Sequence, residues 1–360
     1  MDAQGQSGLM STYRQAWRSR GAFAWALAGV LFAFYVVLYF TEWLTPAAVV
    51  LGLRNKWYLY GALYTVVMAG GAVWFLRQHG SSRYQRVRTL VNLGVQTFVA
   101  FLLPFVMEVL GHKAYYFSYL WPLKIEYFYP REILSHPILV VVYSFAGSLL
   151  LVPALTLWFG KRWYCSWVCG CGALANTFGD PWRHLSSKST KAWRFEKVSI
   201  HTMLVLTIAA TLVVGVNWAI GEQHPGFSAF AFRVQGAYGF VVGFVLAAAV
   251  GVGLYPIFGT RVWCRFACPM AALLGLIQKL GRFHIRVKKD MCISCGNCSA
   301  YCEMGIDVRS YAQRNESFTR ASCVGCGVCA HVCPRGVLKL EHRSRIGGNR
   351  PRQGLPVLEG

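Results

Sequence analysis

Cys292-Ile293-Ser294-Cys295-Gly296-Asn297-Cys298-Ser299-Ala300-Tyr301-Cys302 and Cys323-Val324-Gly325-Cys326-Gly327-Val328-Cys329-Ala330-His331-Val332-Cys333-Pro334 decide what this chain is built around. Both runs have the spacing C-x2-C-x2-C-x3-C. Three thiolates this close together can wrap three corners of a [4Fe-4S] cubane, which then needs a fourth from elsewhere. Paired structural zinc sites are the competing reading, because CxxC pairs also bind zinc. Zinc would need only four cysteines per site and gives no reason for a third CxxC-spaced ligand in each run. Clusters are therefore preferred.

The spacing is the ligand pattern of a bacterial two-cluster ferredoxin, in which the fourth cysteine of each run ligates the other cluster. It predicts one [4Fe-4S] cluster on Cys292, Cys295, Cys298 and Cys333, and a second on Cys323, Cys326, Cys329 and Cys302. The expected module spans residues 285–341.

Composition sets this module on a membrane. Of 360 residues, 55% are hydrophobic and only 14% charged, against about 25% charged in soluble domains. Six apolar runs are long enough to cross a bilayer: Ala22–Phe40, Trp57–Leu76, Leu90–Leu110, Pro137–Phe159, Ile200–Ile220 and Gly236–Phe258. The first has too long an apolar stretch and no small-x-small site, so it reads as a span and not a cleaved signal. The expected fold is an all-α polytopic membrane protein of six transmembrane helices with a C-terminal α+β ferredoxin domain. Residues 1–21 read as an N-terminal tail, 22–260 as the membrane domain and 342–360 as a flexible tail.

An even number of spans leaves both termini on one side. That side holds 30 of the 36 Lys and Arg; only Arg54, Lys56, Lys113, Lys124, Arg131 and Arg233 fall on the other. The positive-inside rule makes the termini and ferredoxin domain cytoplasmic, in a bacterial inner membrane. The net charge of +22 belongs to these short loops and to anionic lipid; no nucleic-acid motif accompanies it. Arg282, Arg286, Lys288 and Lys289 either form a solvated face or attract an acidic redox partner. Loop 176–199 reads as a basic amphipathic connector on the membrane surface. The 13 cysteines point to metal ligation and not to disulfides, and no C-x-x-C-H is present for covalent haem.

Two further segments match at an offset of 99 residues. Phe159-Gly160-Lys161-Arg162-Trp163-Tyr164-Cys165-Ser166-Trp167-Val168-Cys169 pairs with Phe258-Gly259-Thr260-Arg261-Val262-Trp263-Cys264-Arg265-Phe266-Ala267-Cys268. Each follows a span, so duplication should bring Cys165, Cys169, Cys264 and Cys268 together just inside the membrane. If helical, C-x3-C puts both sulfurs on one face. Three readings stay open: a metal or third cluster, a redox thiol pair, or small apolar packing. Gly170 replaces the proline that follows Cys268, and Cys171 is an extra thiol.

Across residues 137–340 the chain resembles the NapH/NosR/CcoG group of bacterial membrane iron–sulfur proteins. NosR-like members should carry a flavin-binding external domain and CcoG-like members an immunoglobulin-like domain. Neither pattern is found, so the resemblance is nearest to NapH-type quinol dehydrogenase subunits. It implies an electron-transfer subunit of a respiratory complex, exchanging electrons between the quinone pool and [4Fe-4S] clusters. It would work with other redox subunits: a periplasmic or membrane cytochrome, a reductase or an iron–sulfur protein. Whether the chain is itself a quinol dehydrogenase stays open, as does the direction of flow. The alternatives are a cytoplasm-fed copper reductase or assembly factor, and a non-catalytic wire and anchor.

Glu108, His112 and His136, with His224, are the candidates for taking protons from quinol. The aromatic residues of loop 111–136 read as an interfacial belt in preference to a quinone pocket. His112 and His136 could also approach as haem ligands, but interfacial placement is simpler and b-type haem is not expected. Glu303 stands where a ferredoxin often has proline; a carboxylate close to a cluster would lower its potential.

Overall fold

The computed structural model describes residues 21–220 and 224–342. Both expected tails fall largely outside these residues. Six helices are long and apolar enough to cross a membrane: α1 (Gly21–Phe40), α2 (Lys56–His79), α3 (Arg83–Val109), α4 (Ile138–Phe159), α5 (Thr190–Ile220) and α6 (Pro225–Gly253). A shorter helix, α7 (Pro269–Gln278), leads into the ferredoxin module.

Three helices start well before their apolar runs, α3 among them at Arg83. The Ser189 hydroxyl accepts the Ala192 N–H at 3.2 Å and starts α5 ten residues before Ile200. Its first turns carry Lys191, Arg194, Glu196 and Lys197, so hydropathy alone misses them. Pro225 opens α6 at N1, which makes Arg233 helical and not part of a loop. The backbones of α3, α4 and α6 widen into π-helical turns at Val95–Leu102, Gly147–Leu151 and Gly239–Gly253. Two of these turns meet chain that folds back into the membrane domain.

One such segment is 113–130. Its Tyr115, Leu120, Ile125, Tyr127 and Tyr129 are buried, which corrects the interfacial-belt reading. The Trp121 N–H donates to Ser148 at 3.1 Å, halfway along α4, and the Trp121 indole donates to Thr211 of α5 at 3.1 Å. Tyr143 donates to the Phe117 carbonyl at 2.8 Å. Non-helical backbone at membrane depth is tolerated only where protein satisfies its polar groups, and these bonds do so. The rings therefore pack against α4 and each other, with Tyr115 and Tyr127 stacked at 4.2 Å.

The ferredoxin module closes with an antiparallel pair, β1 (Phe283–Val287) and β2 (Leu338–His342), in register Phe283↔His342 to Val287↔Leu338. Both cysteine runs end in one helical turn, Asn297–Ala300 and Val328–His331. Segments 80–89, 160–189 and 260–342 gather at one end of the six helices.

Candidate iron–sulfur and thiol centres

The strand pair ties the ends of the ferredoxin module together and brings the second cysteine run beside the first. Cys292, Cys295, Cys298 and Cys333 line one cavity, walled by Ala312, Val337 and Leu338. Cys302, Cys323, Cys326 and Cys329 line another, walled by Ile285, Ile306 and Phe318. The fourth cysteine of each run thus faces the other run's cavity. Gly296, Gly325 and Gly327 sit at φ of +81°, +60° and +75°, letting the chain curl between successive cysteines.

The donors fit a [4Fe-4S] cluster in each cavity. Four soft sulfurs meet in an apolar cage, and Ile306 and Val337 N–H groups donate to the Cys302 and Cys333 sulfurs at 3.4 Å. Among the described residues no group of three His, Cys, Asp or Glu is placed to hold a single metal ion. Burial pushes the Cys323 thiol up to about 12 and the Cys298 thiol up to about 11, so binding as thiolates would release protons.

The two cavities differ in setting. Cys295 is exposed. The other cavity is seated against the membrane domain. Gln85 and Arg88 of α3 donate to the Cys326 carbonyl at 3.0 and 2.9 Å, and Tyr84 to that of Gly325 at 2.8 Å. Ser166 donates to the Val324 carbonyl at 2.7 Å and Gln278 of α7 to that of Cys323 at 3.0 Å. These donors come from three separate segments.

The duplicated motifs meet as expected. Cys165, Cys169, Cys264 and Cys268 are all buried in one cluster, and Cys171 packs against it. Neither C-x3-C is one continuous helix. In each copy the first cysteine lies in a short helix, Arg162–Cys165 or Val262–Phe266, and the second precedes a new helix in extended conformation. Pro269 imposes this on Cys268 (φ −78°, ψ 113°), and Cys169 matches it without a proline (φ −67°, ψ 132°). Gly160 and Gly259 repeat too, at φ/ψ of +74°/176° and +85°/173°. A Cβ on Gly160 would lie 2.6 Å from that of Phe283.

These thiols lie deeper than the ends of the spans. Asn92 donates to the Ser166 carbonyl at 2.7 Å, Gln96 to that of Val168 at 2.5 Å and Tyr64 to that of Gly170 at 2.8 Å. Tyr64 lies about 12 Å along α2 from Lys56 and about 22 Å from His79. From the opposite direction, the Ser118 carbonyl accepts from Tyr164 at 2.9 Å. Segments entering from both ends therefore meet at the first motif.

Charge is concentrated where the two sets of cysteines approach. Arg261 donates to the Cys165 carbonyl at 2.8 Å and lies 4.0 Å from the Cys264 sulfur. Its Nε is 3.3 Å from Glu303, whose other oxygen is 3.1 Å from Arg183. Arg183 also pairs with Asp180 at 2.9 Å and reaches the Cys326 sulfur at 3.9 Å. Burial would raise the Glu303 carboxyl, but Arg183, Arg261 and Arg88 hold it below the usual range. The Cys169 thiol is pushed down to about 7 by Cys171, against burial and with help from the Gly172 N–H and Arg261. Burial pushes Cys165 up to about 12. Sequence reasoning flagged Glu303 but missed Arg88, Arg183 and Arg261, which look like ordinary juxtamembrane cations; the one signal was that Arg261 lies inside the duplicated motif.

The proposed quinol residues have separate partners. Glu108 accepts a hydrogen bond from Tyr58 and lies 3.7 Å from Arg54. His136 is buried with its ring 5.4 Å from that of Tyr115, and burial lowers its basicity. His112 and His224 are exposed.

Comparison with known proteins returns the same two sites. A family model described as a 4Fe-4S dicluster domain matches residues 285–340, and one described as a 4Fe-4S binding domain matches twice, at 139–190 and 240–288. These two matches cover the two motif copies. YccM of Escherichia coli is 25% identical over 174 residues, covering 47% of this chain and 49% of its own. The methylamine utilization ferredoxin-type protein MauN of Paracoccus denitrificans is 26% identical over 47% of this chain and 61% of its own. The regulatory protein NosR of Pseudomonas aeruginosa is 26% identical over 48% of this chain and 23% of its own. The chain thus spans about half the length of YccM and a quarter of NosR. No solved structure matches.

Proposed function

Taking the chain as a membrane polyferredoxin of the NapH/NosR-like kind, we propose that it exchanges electrons between the quinone pool and iron–sulfur clusters, and between these and a partner redox protein. Cys292, Cys295, Cys298 and Cys333 hold one cluster, and Cys302, Cys323, Cys326 and Cys329 the other. Cys165, Cys169, Cys264 and Cys268 hold a third centre within the membrane domain, with Cys171 outside its ligand set. When bound, a [4Fe-4S] cluster supplies a one-electron couple, so two of them match the two-electron quinone couple. The ferredoxin end faces the cytoplasm of a bacterial inner membrane, as the distribution of Lys and Arg argues.

The observation that carries this reading is the order of the cysteines. Exposed Cys295 marks the outer end, the Cys326 cavity rests on the membrane domain, and the buried quartet lies deeper, joined through Glu303 and Arg261. The chain's own residues fix these positions, exclude water and set charge. Arg183 and Arg261 favour the reduced form of a nearby centre; Glu303 opposes them. A two-cluster ferredoxin carries about eight irons, and a third cubane brings the total to about twelve. Iron and acid-labile sulfide analysis tests this: about eight irons, unchanged on Cys264→Ser with Cys268→Ser, removes the third centre. Anaerobic addition of a short-chain quinol to the purified chain should bleach its iron–sulfur absorption. No bleaching with any of several quinols counts against quinone exchange.

A further inference from the structure

One cavity has no cysteine in its wall. It has a volume of about 290 Å³ and is enclosed by the start of α5, by α7 and by the ferredoxin module. Five cations line it: Lys161, Lys197, Arg265, Lys279 and Arg320. The one carboxylate, Glu196, is already held by Arg265 at 2.7 Å. Among the described residues, Lys161, Lys197, Lys279 and Arg320 make no ion pair. Lys161 is fully buried, and its ammonium has one partner, the Ala321 carbonyl at 3.2 Å. Lys161 also lies close enough to act on the Cys165, Cys264 and Cys323 thiols. Among the described residues Lys197, Lys279 and Arg320 have no carboxylate or thiol to balance them, and an anion among the three would do so.

Position narrows the anion. Ile200, on the cavity wall, begins the apolar run of α5, while Lys197 and Trp193 lie one and two turns before it. The Lys197 ammonium and the Arg320 guanidinium both stand over the Trp193 ring, at 3.7 and 4.8 Å. Leu276 and Leu280, next in sequence to the lining residues Gly275 and Lys279, are exposed. Cations, an indole and exposed apolar side chains at one level mark the headgroup layer. We infer that this cavity binds a phosphate group, that of an acidic phospholipid, with the acyl chains leaving past Leu276 and Leu280. The volume suits a phosphate with its glycerol and is at the small end for larger ligands. The bound headgroup would tie α5 and α7 to Arg320 of the ferredoxin module.

The test uses the full chain in detergent, delipidated and titrated separately with phosphatidylglycerol, phosphatidylcholine and inorganic phosphate, with bound species counted by native mass spectrometry. One phosphatidylglycerol per chain is expected, with phosphatidylcholine and inorganic phosphate far weaker. Lys279→Gln with Arg320→Gln should weaken phosphatidylglycerol about thirtyfold, at about 1 kcal/mol per charge. Lys113→Gln, near the other end of the helices, should leave it unchanged. Iron content reports folding, and Lys279→Gln alone serves if the double variant loses iron. Equal retention by wild type and variant overturns the site. Inorganic phosphate binding as tightly as phosphatidylglycerol overturns the lipid source. Displacement by an equimolar neutral quinone also overturns it, since a neutral ring does not require the three cations.

Discussion

The carboxylate of Glu303 lies 3.3 Å from the guanidinium of Arg261, and that guanidinium also holds the Cys165 carbonyl at 2.8 Å. Glu303 follows Cys302 in the ferredoxin module, whereas Cys165 is the first cysteine of the first duplicated motif. One buried arginine therefore spans the junction between the two cysteine systems.

Glu303→Gln should act twice. It leaves Arg183 and Arg261 buried without a full counter-charge, which costs about 3–5 kcal/mol. It also removes the negative charge nearest Cys302, so the midpoint potential of the centre there should rise. Thermal unfolding and an EPR-monitored redox titration read the two effects separately; an unchanged potential would show that Glu303 only holds the domains together.

Crossed ligation makes a prediction that a run-by-run assignment does not. Cys302→Ala should abolish the EPR signal of the centre on Cys323, Cys326 and Cys329 and spare the other. Cys333→Ala should do the reverse. Loss of the signal belonging to the mutated run would refute the crossing.

Gly160→Ala tests the duplicated turn. At φ +74° and ψ 176° the backbone alone disfavours alanine by about 1–3 kcal/mol, and the added methyl meets Phe283. The ferredoxin module should become protease-sensitive at lower temperature than in wild type. The same substitution at Gly215, in α5 with nothing within 4 Å of an added Cβ, should not show this.

Asp180 supplies a pH dependence. Burial would raise its carboxyl, but His79 and Arg183 outweigh that and hold it below the usual carboxylate range. A depressed carboxyl contributes stability that is present above its unfolded value of about 3.9 and is lost as pH falls through the folded value. Asp180→Asn should therefore destabilise the protein by about 1.5–3 kcal/mol at neutral pH. The difference from wild type should vanish in acid. A difference that does not shrink as pH falls below the unfolded value would place the effect elsewhere.

The sequence disclosed what repeats locally. Apolar runs gave all six spans, but α3, α5 and α6 begin about two to three turns earlier, at Arg83, Thr190 and Pro225, and α6 ends at Gly253, short of Phe258. Cysteine spacing gave both ferredoxin cavities, and the 99-residue offset gave the buried quartet. What it did not disclose depends on partners far along the chain. Tyr164 meets Ser118, and Gln96 meets Val168, through backbone carbonyls that carry no signature of their own. Without those bonds the aromatic residues of 113–130 look like an interfacial belt, and the thiols look shallower than they are. Arg88 and Arg183 are indistinguishable in sequence from cations that face lipid, and only its place in the duplicated motif sets Arg261 apart.

The seating of Cys326 has a consequence for traffic. Its carbonyl and those of Cys323, Val324 and Gly325 are held by α3, α7 and the first duplicated motif. A module gripped through its own backbone cannot swing between docking positions as a tethered shuttle does. On the proposed reading it is a fixed terminal, and a redox partner would have to come to the rim around exposed Cys295. Throughput is then governed by how often a partner arrives and leaves. Lengthening or stiffening the chain between α7 and β1 should leave that frequency unchanged.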